Sequence, residues 1–286
     1  MTITHNETAL DVPSFLELET TGKCQLRCRH CYNSSGPDGG TGTMTPDDWQ
    51  NVIDQAAALG IASVQFIGGE PTLDPNMRGL ARHALAAGLV VHIYSNLVHV
   101  TPDMWELFST PGVRLSTSYY AANPVTHGRI TGSGASYLRT RSNIAEAVQR
   151  GIPVRVAVVQ ILPDQDTRQA EAELRSLGVT DIRVRREQAV GRAAREAAPH
   201  DLSELCGNCG DDRAAVMPDG SLVPCVVGRW LDTGNVKTTP LAQILTGPEW
   251  KRTLALVPRR DTDPCPPAST CPPASDGNDC PPASCQ

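Results

Sequence analysis

SFLELETTGKCQLRCRHCY, residues 14–32, joins a short alternating run to three closely spaced cysteines. The first six residues indicate a strand, because alternate side chains of a strand share one face. Cys24, Cys28 and Cys31 follow at spacings of four and three, one thiol short of a closed structural zinc site. Three thiolates on one loop suit a four-iron cluster with one open iron. There are two alternatives: a zinc site with His30 as the fourth ligand, and a chance spacing of the three cysteines.

From this stretch to about residue 186, short apolar runs alternate with amphipathic stretches. Strands are predicted at 14–19, 62–69, 89–96, 113–120, 152–162 and 180–187. Helices are predicted at 45–60, 76–88, 101–110, 136–151 and 166–178. Such alternation implies βαβ units with right-handed crossovers, so the predicted fold class is α/β with a parallel sheet.

The loops that follow the predicted strands carry the candidate functional residues. In parallel sheets of this kind, ligands bind at the carboxyl ends of the strands. The three cysteines follow the first strand, a GGEPT turn at 68–72 follows the second, and Ser95 and Asn96 follow the third. We therefore expect these three loops to meet at one edge of the sheet.

Composition narrows the class of protein. The ten cysteines fall into two groups, at 24–31 and at 206–285, whereas a disulfide scaffold would spread them along the chain. The N-terminus lacks the pattern of a secretion signal, so we expect a cytoplasmic protein with metal-ligating thiols. A net charge of −6 argues against a nucleic-acid partner, and no apolar run is long enough to cross a membrane.

The C-x3-C-x2-C loop after the first strand and the glycine-glycine-glutamate turn after the second resemble the radical S-adenosylmethionine (SAM) enzymes. The resemblance implies a partial (β/α)6 TIM-like barrel over residues 1–200, the radical SAM core domain. It further implies that Cys24, Cys28 and Cys31 hold a [4Fe-4S] cluster whose open iron is chelated by SAM. Reductive cleavage of SAM would then give a 5′-deoxyadenosyl radical that abstracts hydrogen from an unactivated carbon.

The same resemblance assigns the SAM contacts. Gly68, Gly69 and Glu70 would line the methionine amino group, and the glycines would allow close approach of the backbone. Tyr32 would lie near the adenine. Further SAM contacts are expected from residues at the ends of the third and fourth strands, namely Ser95, Asn96 and Ser118, with Ser116 as an alternative to Ser118. The segment Gly191-Arg192-Ala193 also resembles a recurrent segment of the family.

The C-terminal cysteines resemble a second domain type. Cys209-x10-Gly220-x4-Cys225 is similar to the opening of the SPASM extension, which carries auxiliary [4Fe-4S] clusters. Residues 201–286 are therefore expected to form an auxiliary cluster domain of SPASM or twitch type. The candidate ligands are Cys206, Cys209, Cys225, Cys265, Cys271, Cys280 and Cys285. The final spacings depart from the family pattern, and Thr262 stands where a cysteine is expected, so the domain is altered or abbreviated.

Seven thiols cannot fill two four-cysteine clusters, and several arrangements stay open. Two auxiliary clusters could leave one iron open or use a carboxylate ligand, for which Asp261, Asp263, Asp276 and Asp279 are candidates. One twitch-type cluster with spare thiols, a zinc site and a disordered tail are the other arrangements. We expect two clusters, one of them shared by Cys206, Cys209 and Cys225 with a fourth ligand from the tail.

Two groups of charged residues could face the barrel interior or solvent. Glu17 and Glu19 lie on the first predicted strand, and Arg155, Arg183 and Arg185 lie on the late strands. An interior carboxylate could orient SAM or substrate, and an interior arginine could bind a carboxylate or a peptide backbone. The sequence does not choose between the two faces and names no catalytic residue of its own.

The expected function is that of a radical SAM oxidoreductase in natural product biosynthesis. The favoured substrate is a ribosomally synthesised peptide that receives a C–C or C–S crosslink or a related oxidation. Because only about 13 residues precede the first strand, a separate peptide-recognition protein would be needed unless the peptide core is gripped directly. A flavodoxin- or ferredoxin-type protein would supply electrons. The alternatives are a dehydrogenase of a small molecule such as an aminocyclitol, and a non-catalytic iron-sulfur or zinc protein.

Overall fold

The computed structural model describes residues 12–194, 200–207 and 209–258, and strands and helices alternate through its first part. Six strands are β1 Phe15–Thr21, β2 Ser63–Gly68, β3 Val90–Tyr94, β4 Val113–Tyr119, β5 Val154–Gln160 and β6 Asp181–Arg186. Six helices are α1 Pro46–Ala58, α2 Met77–Ala86, α3 Pro102–Phe108, α4 Pro124–Thr131, α5 Ser136–Gln149 and α6 Thr167–Ser176. The remaining strands and α-helices are β7 Arg213–Val216, β8 Leu222–Val223, α7 Leu241–Leu245 and α8 Pro248–Leu256. All six predicted strands and all five predicted helices are confirmed.

Helix α4 was not predicted. Asn123 caps it by accepting a hydrogen bond from the backbone N–H of Thr126, and Gly132 ends it with a φ of +73°. Pro124 occupies its first turn, where a proline costs no hydrogen bond and favours the helix. The Asn-Pro pair therefore marks a helix start here and not a break.

The sheet has the strand order β6-β5-β4-β3-β2-β1-β7-β8. Strands β1 to β6 are parallel and neighbour each other in chain order, which confirms the partial barrel. Strand β7 continues the parallel sheet on the other side of β1, and β8 returns antiparallel to β7. A turn at Asp219-Gly220 joins these two strands, with Gly220 at a φ of +91°.

Strand β1 shows how the sheet separates an apolar face from a polar one. Leu16 and Leu18 are fully buried in the main hydrophobic core, on the face that packs against the helices. Glu17 and Glu19 point to the opposite, inner face of the curved sheet, where they are only 4% and 1% exposed. The sequence left open whether these two carboxylates face the interior or solvent, and the structure shows that they face the interior.

The C-terminal part of the chain joins the same sheet. Phe15 to Leu18 of β1 pair with Arg213 to Val216 of β7, and α7 and α8 pack into the main core through Leu241, Ile244 and Trp250. The division of the chain near residue 200 stays a prediction. None of the helices in the described part of the chain combines the length and the apolar character needed to cross a membrane.

Candidate functional site

The loop that carries the N-terminal thiol site, defined as Cys24, Cys28 and Cys31, begins directly after β1 and closes on itself. The N–H of Cys24 donates to the carbonyl oxygen of Gly36 at 3.0 Å, and the N–H of Gly22 donates to that of Gly40 at 2.8 Å. These bonds fold the loop back over the end of β1. The three cysteines are thus held at the predicted edge of the sheet.

The three thiols lie close together, and two of them, Cys24 and Cys28, are poorly hydrated. Burial, together with the charges of Glu70 and Cys31, raises the pKa of Cys24 to about 11, and burial together with the other two thiols raises that of Cys28 to about 12. Thiolates in such a place need a positive partner, which an iron-sulfur cluster supplies. Within the described residues no three His, Cys, Asp or Glu side chains stand in a finished metal-binding arrangement. The donor set fits a cluster, and the side chains would reorient to share it.

The segment after β6 holds this loop from the other side. Arg192 donates from Nε to the carbonyl oxygen of Cys28 at 2.8 Å and from Nη2 to that of Ser35 at 2.7 Å. Its backbone N–H donates to the carbonyl oxygen of Cys31 at 3.0 Å. Gly191 has a φ of +57°, and a Cβ there would lie 2.2 Å from the carbonyl oxygen of Tyr32. From the sequence, Gly191 and Arg192 were noted only as part of a segment that resembles one of the family. That this segment holds the thiol loop in place, as a clamp, was not predicted.

The glycine-glycine turn after β2 packs directly on the start of the thiol loop. A Cβ at Gly68 would lie 2.3 Å from the carbonyl oxygen of Thr21, and one at Gly69 would lie 2.2 Å from that of Lys23. The N–H groups of Gly69 and Glu70 donate to these same two carbonyl groups, each at 2.7 Å. Only glycine fits this backbone contact. The sequence predicted a close approach of SAM to these two glycines and did not foresee that they pack on the thiol loop, and their contact with SAM stays a prediction.

The carboxylate of Glu70 braces the loops after β2 and β3. Its Oε2 accepts a hydrogen bond from the N–H of Asn96 at 2.8 Å, and its Oε1 accepts from the hydroxyl of Thr72 at 2.7 Å. The side chain is fully buried, and this burial raises the pKa of Glu70 even though the hydrogen bonds lower it. The structure therefore shows Glu70 as an internal brace beside the thiol loop.

Asn96 reaches the N-terminal thiol site. Its Nδ2 lies 3.6 Å from the Sγ of Cys24 and 3.2 Å from the Oε1 of Gln25. Ser95 is buried, and its Oγ accepts a hydrogen bond from the N–H of Leu97, which has a φ of +54°. Asn96 is thus placed beside the predicted cluster, whereas Ser95 shapes the turn that presents it.

Tyr32 and Ser118 face the interior below the thiol loop. The hydroxyl of Tyr32 is buried and finds no hydrogen-bond partner among the described residues. Burial, with Glu19 and Glu17 nearby, raises the pKa of Tyr32 well above its usual value. The Oγ of Ser118 lies 3.0 Å from the hydroxyl of Tyr94. Both side chains thus lie on the inner side of the sheet, and their contact with SAM stays a prediction.

Both interior glutamates are met by residues from the C-terminal part of the chain. Glu17 accepts a hydrogen bond from the N–H of Val226 at 3.1 Å and lies 4.0 Å from the guanidinium of Arg213. Glu19 accepts two hydrogen bonds from Arg229, at 3.1 and 3.0 Å. Sequence reasoning missed both arginines, because nothing local links them to the first strand.

Three arginines line the far side of the interior, on β5 and β6. Arg155 and Arg183 each donate from Nε to Asp181, at 2.7 and 3.0 Å. Arg185 lies two residues beyond Arg183 on the same face of β6, and it acts on Tyr94 electrostatically together with Arg155. The inward placement of these arginines, left open by the sequence, is thereby established.

The C-terminal thiol site, defined as Cys206, Cys209 and Cys225, lies in a small apolar cluster. The Sγ atoms of Cys209 and Cys225 are 3.1 Å apart, and the pKa of Cys209 is raised by its contacts with Cys206 and Cys225 and by burial. Val257, at the end of the described chain, packs in the same cluster. The other candidate ligands lie outside the described residues: Asp261, Asp263, Cys265, Cys271, Asp276, Asp279, Cys280 and Cys285.

Two family models match this chain. The model of the radical SAM superfamily matches residues 18–176, and that of SPASM, an iron-sulfur cluster-binding domain, matches residues 194–272. An AdoMet-dependent heme synthase of Methanosarcina barkeri is 31% identical over 51% of this chain and 42% of its own length. A PqqA peptide cyclase of Ruegeria pomeroyi is 28% identical over 67% of this chain and 52% of its own. The mycofactocin maturase MftC of Mycobacterium tuberculosis is 30% identical over 54% and 40%.

The match therefore spans about half or less of these relatives. Among solved structures, Streptococcus suis SuiB bound to the precursor peptide SuiA has a TM-score of 0.71 at 14% identity, over 86% of this chain and 67% of SuiB. The protein anSMEcpe with bound AdoMet has a TM-score of 0.66 at 13% identity, over 86% of this chain and 83% of its own. These structural likenesses concern the fold.

Proposed function

The chain belongs to the radical SAM superfamily and carries an iron-sulfur cluster-binding SPASM domain, and from this premise we propose that it oxidatively modifies an unactivated carbon of a ribosomally synthesised peptide. Its cofactors are SAM and [4Fe-4S] clusters, as both domains imply. When bound, they supply a 5′-deoxyadenosyl radical that removes a hydrogen atom from the substrate. The observation that carries the proposal is the three-thiol loop, which is braced by the glycine-glycine turn and clamped by Arg192.

We assign the N-terminal thiol site as the ligand set of the SAM-binding cluster. Cys24, Cys28 and Cys31 lie on one loop at the carboxyl end of β1, where burial raises the pKa of Cys24 and of Cys28. The backbone of Gly68 and Gly69 packs directly on the thiol loop, and the absence of a Cβ at both residues would let the methionine amino group approach this backbone. Glu70 and the residues it braces would keep this cradle in place while SAM binds.

The remaining predicted SAM contacts would line the rest of the ligand. Tyr32 offers a half-buried aromatic ring for the adenine, and Asn96 stands beside the Sγ of Cys24. Ser95 and Ser118 would act chiefly by shaping their strand ends, since both hydroxyl groups already contact protein atoms. The protein's part in catalysis is then to orient the substrate and to exclude water.

We further propose that Cys206, Cys209 and Cys225 share an auxiliary cluster with a ligand from the tail. Cys209 contacts both other thiols, and the chain reaches Val257 beside them, only eight residues before Cys265. The tail has four cysteines, Cys265, Cys271, Cys280 and Cys285. One of them would complete the first auxiliary cluster, and the other three would hold a second. The fourth iron of the second cluster would be bound by a carboxylate from the tail or left open.

A peptide is the favoured substrate because the names of several similar proteins refer to a peptide substrate or to maturation. The PqqA peptide cyclase and the mycofactocin maturase align with this chain, and SuiB with its bound precursor peptide shares the fold. The arginines on β5 and β6 give the interior positive groups that suit peptide carboxylates or carbonyl groups. A separate peptide-recognition protein and a flavodoxin- or ferredoxin-type donor are the proposed partners, in the cytoplasm.

The first test is 5′-deoxyadenosine formation by anaerobically reconstituted protein with SAM and dithionite. We expect formation by the wild type and none by Cys24→Ala/Cys28→Ala/Cys31→Ala. Short peptides encoded beside the gene are then added and analysed by mass spectrometry for the loss of two hydrogens. A cyclitol that is oxidised in place of any peptide would favour the dehydrogenase alternative. Iron binding without 5′-deoxyadenosine formation would leave a non-catalytic iron-sulfur protein.

The number of auxiliary clusters is tested by counting iron and sulfide in the same triple variant. About eight irons per chain would support two auxiliary clusters, on a four-iron stoichiometry. About four would indicate one cluster of the twitch type. None would overturn the auxiliary-cluster proposal and leave the C-terminal thiols to a zinc site.

A further inference from the structure

A buried ion pair joins the first strand to the C-terminal part of the chain. Glu19 is 1% exposed, and its two carboxylate oxygens accept hydrogen bonds from both terminal nitrogens of Arg229, at 3.0 and 3.1 Å. The two residues stand 210 positions apart in the sequence. A two-point arginine–carboxylate contact fixes orientation as well as charge, so Arg229 has one defined position over β1.

The ion pair reaches the N-terminal thiol site through a single side chain. The Nδ2 of Asn33 donates to Glu19 at 3.3 Å, and the Oδ1 of Asn33 accepts from the Sγ of Cys31 at 2.9 Å. Arg229 is itself close enough for Cys31 to act on it electrostatically: burial disfavours its charge, but Glu19, Tyr32 and Cys31 raise its pKa. The charges of Glu19 and Arg229 therefore act directly on the surroundings of Cys31.

The same ion pair reaches the C-terminal thiol site through the backbone. The Sγ of Cys225 accepts a hydrogen bond from the N–H of Gly228 at 3.2 Å. Arg229 follows immediately, and the carbonyl oxygen of Gly228 accepts from the N–H of Leu231 at 2.9 Å. We call residues 225–231 the bridging loop. Its shape, and with it the position of Arg229, is thus anchored on a thiol of the C-terminal site.

We propose that Arg229 is a positioning residue through which the C-terminal thiol site controls the charge beside the N-terminal one. With the bridging loop anchored, Arg229 neutralises Glu19 next to Cys31. With the loop released, a buried carboxylate is left without its partner there. The inference rests on the proposed function, since it requires a cluster at the N-terminal site that accepts one electron from an external reductant.

The physical argument predicts opposite signs for the two partners. An unpaired carboxylate beside Cys31 disfavours the arrival of an electron, so the cluster becomes harder to reduce. An unpaired guanidinium at the same place favours it, so the cluster becomes easier to reduce. Loss of both charges together cancels most of either effect. A purely structural contact would not reverse sign between the two single substitutions.

The test is a potentiometric titration of reconstituted protein with dithionite, followed by electron paramagnetic resonance. The N-terminal cluster is identified as the reduced signal that changes when SAM is added. We expect Arg229→Gln to lower its midpoint potential, Glu19→Gln to raise it, and the double variant to return towards the wild type. Arg229→Lys, which keeps the charge, should stay near the wild type. Arg141→Gln, which removes another ion pair, with Glu173 at 2.6 Å, is the matched control and should cause no shift.

Coupling between the two sites is tested with Cys225→Ala, which removes the anchor of the bridging loop. We expect it to lower the same potential, and Arg229→Gln to add little in that background. Equal signs for Arg229→Gln and Glu19→Gln, or no shift in either at full iron loading, would overturn the inference. If the Arg229→Gln variant binds no iron, the Glu19→Gln variant decides alone: a raised midpoint potential supports the inference, and a lowered one overturns it. A wild type without 5′-deoxyadenosine formation would instead count against the proposed function.

Discussion

At the scale of the residue, Gly69 leaves no room for a side chain. A Cβ at this position would lie 2.2 Å from the carbonyl oxygen of Lys23, and the neighbours are backbone atoms that cannot turn away. We expect Gly69→Ala to destabilise the protein by about 1–3 kcal/mol, the usual cost of overpacking. It should also abolish measurable SAM binding, because the turn and the thiol loop are pushed apart. Thermal unfolding and equilibrium dialysis with labelled SAM measure both effects.

Gly79 offers the matched control for this substitution. It lies exposed on α2, and a Cβ there would meet nothing within 4 Å. Gly79→Ala should therefore raise stability by up to about 1 kcal/mol, the difference in helix propensity, and leave SAM binding unchanged. Equal losses in the two variants would mean that the close approach at Gly69 does not matter.

Glu17 should make stability depend on pH. Burial raises its pKa above the ordinary 4.5, although Arg213 works in the other direction. Above pH 4.5 the unfolded chain loses this proton before the folded protein does, so stability falls as the pH rises until the folded carboxyl also ionises. Glu17→Gln removes this contribution. Relative to the variant, the wild type should lose up to about 1.4 kcal/mol per pH unit within that window.

The comparison is made on metal-free, reduced protein by denaturant unfolding between pH 4.5 and 7. Glu70 is buried in both proteins, and its own pH dependence cancels in the difference. The amide of the variant can still accept the hydrogen bond from Val226, so the contact to the C-terminal part is kept. Parallel curves for the two proteins would contradict the prediction.

At the scale of the element, the segment after β6 should decide whether the thiol loop can hold iron. Arg192→Ala removes the two side-chain hydrogen bonds to the carbonyl groups of Cys28 and Ser35. Bonds from a charged donor contribute about 1.5–3 kcal/mol each, so the loop should lose much of its order. We expect at least about half of the SAM-responsive paramagnetic signal to disappear.

Arg186→Ala serves as the control for the clamp. Arg186 ends β6, is exposed, and contacts Glu204 at 3.2 Å without touching the thiol loop. The Arg186→Ala variant should keep both the iron content and the SAM-responsive paramagnetic signal of the wild type. If Arg192→Ala also kept them, the clamp would be dispensable.

Several elements could be read from the sequence because their causes are local. Thr45 caps α1 through a reciprocal pair of hydrogen bonds with Asp48, and the Gly68–Gly69 turn follows from the need for residues without a Cβ. Long-range contacts could not be read in this way. The four residues of β7 find their partner in β1 only through the packed fold, and Arg229 meets Glu19 across 210 positions.

At the scale of the whole molecule, the main core should not require residues 259–286. The chain up to Val257 already closes the main core and packs beside the C-terminal thiols. Removing residues 259–286 should therefore leave the thermal unfolding of the metal-free protein within a few degrees of the full chain. It should lower auxiliary iron, because Cys265 and the later cysteines are lost.

The truncation is best read in the background of the Cys24, Cys28 and Cys31 triple variant, where only auxiliary iron is counted. We expect the count to fall to about four irons or fewer, on a four-iron cluster stoichiometry. An unchanged count would show that the tail binds no cluster. The proposed sharing of a ligand between the tail and Cys206, Cys209 and Cys225 would then be wrong.

The pairing of β1 with β7 has a consequence for the newborn chain. Strand β1 is made first, yet one of its edges is covered only when β7 has left the ribosome, nearly two hundred residues later. At synthesis rates of about 5–20 residues per second, that edge stays bare for about 10–40 seconds. An unpaired edge invites pairing with other chains. We therefore expect the newborn chain to aggregate more readily than the finished sheet would suggest.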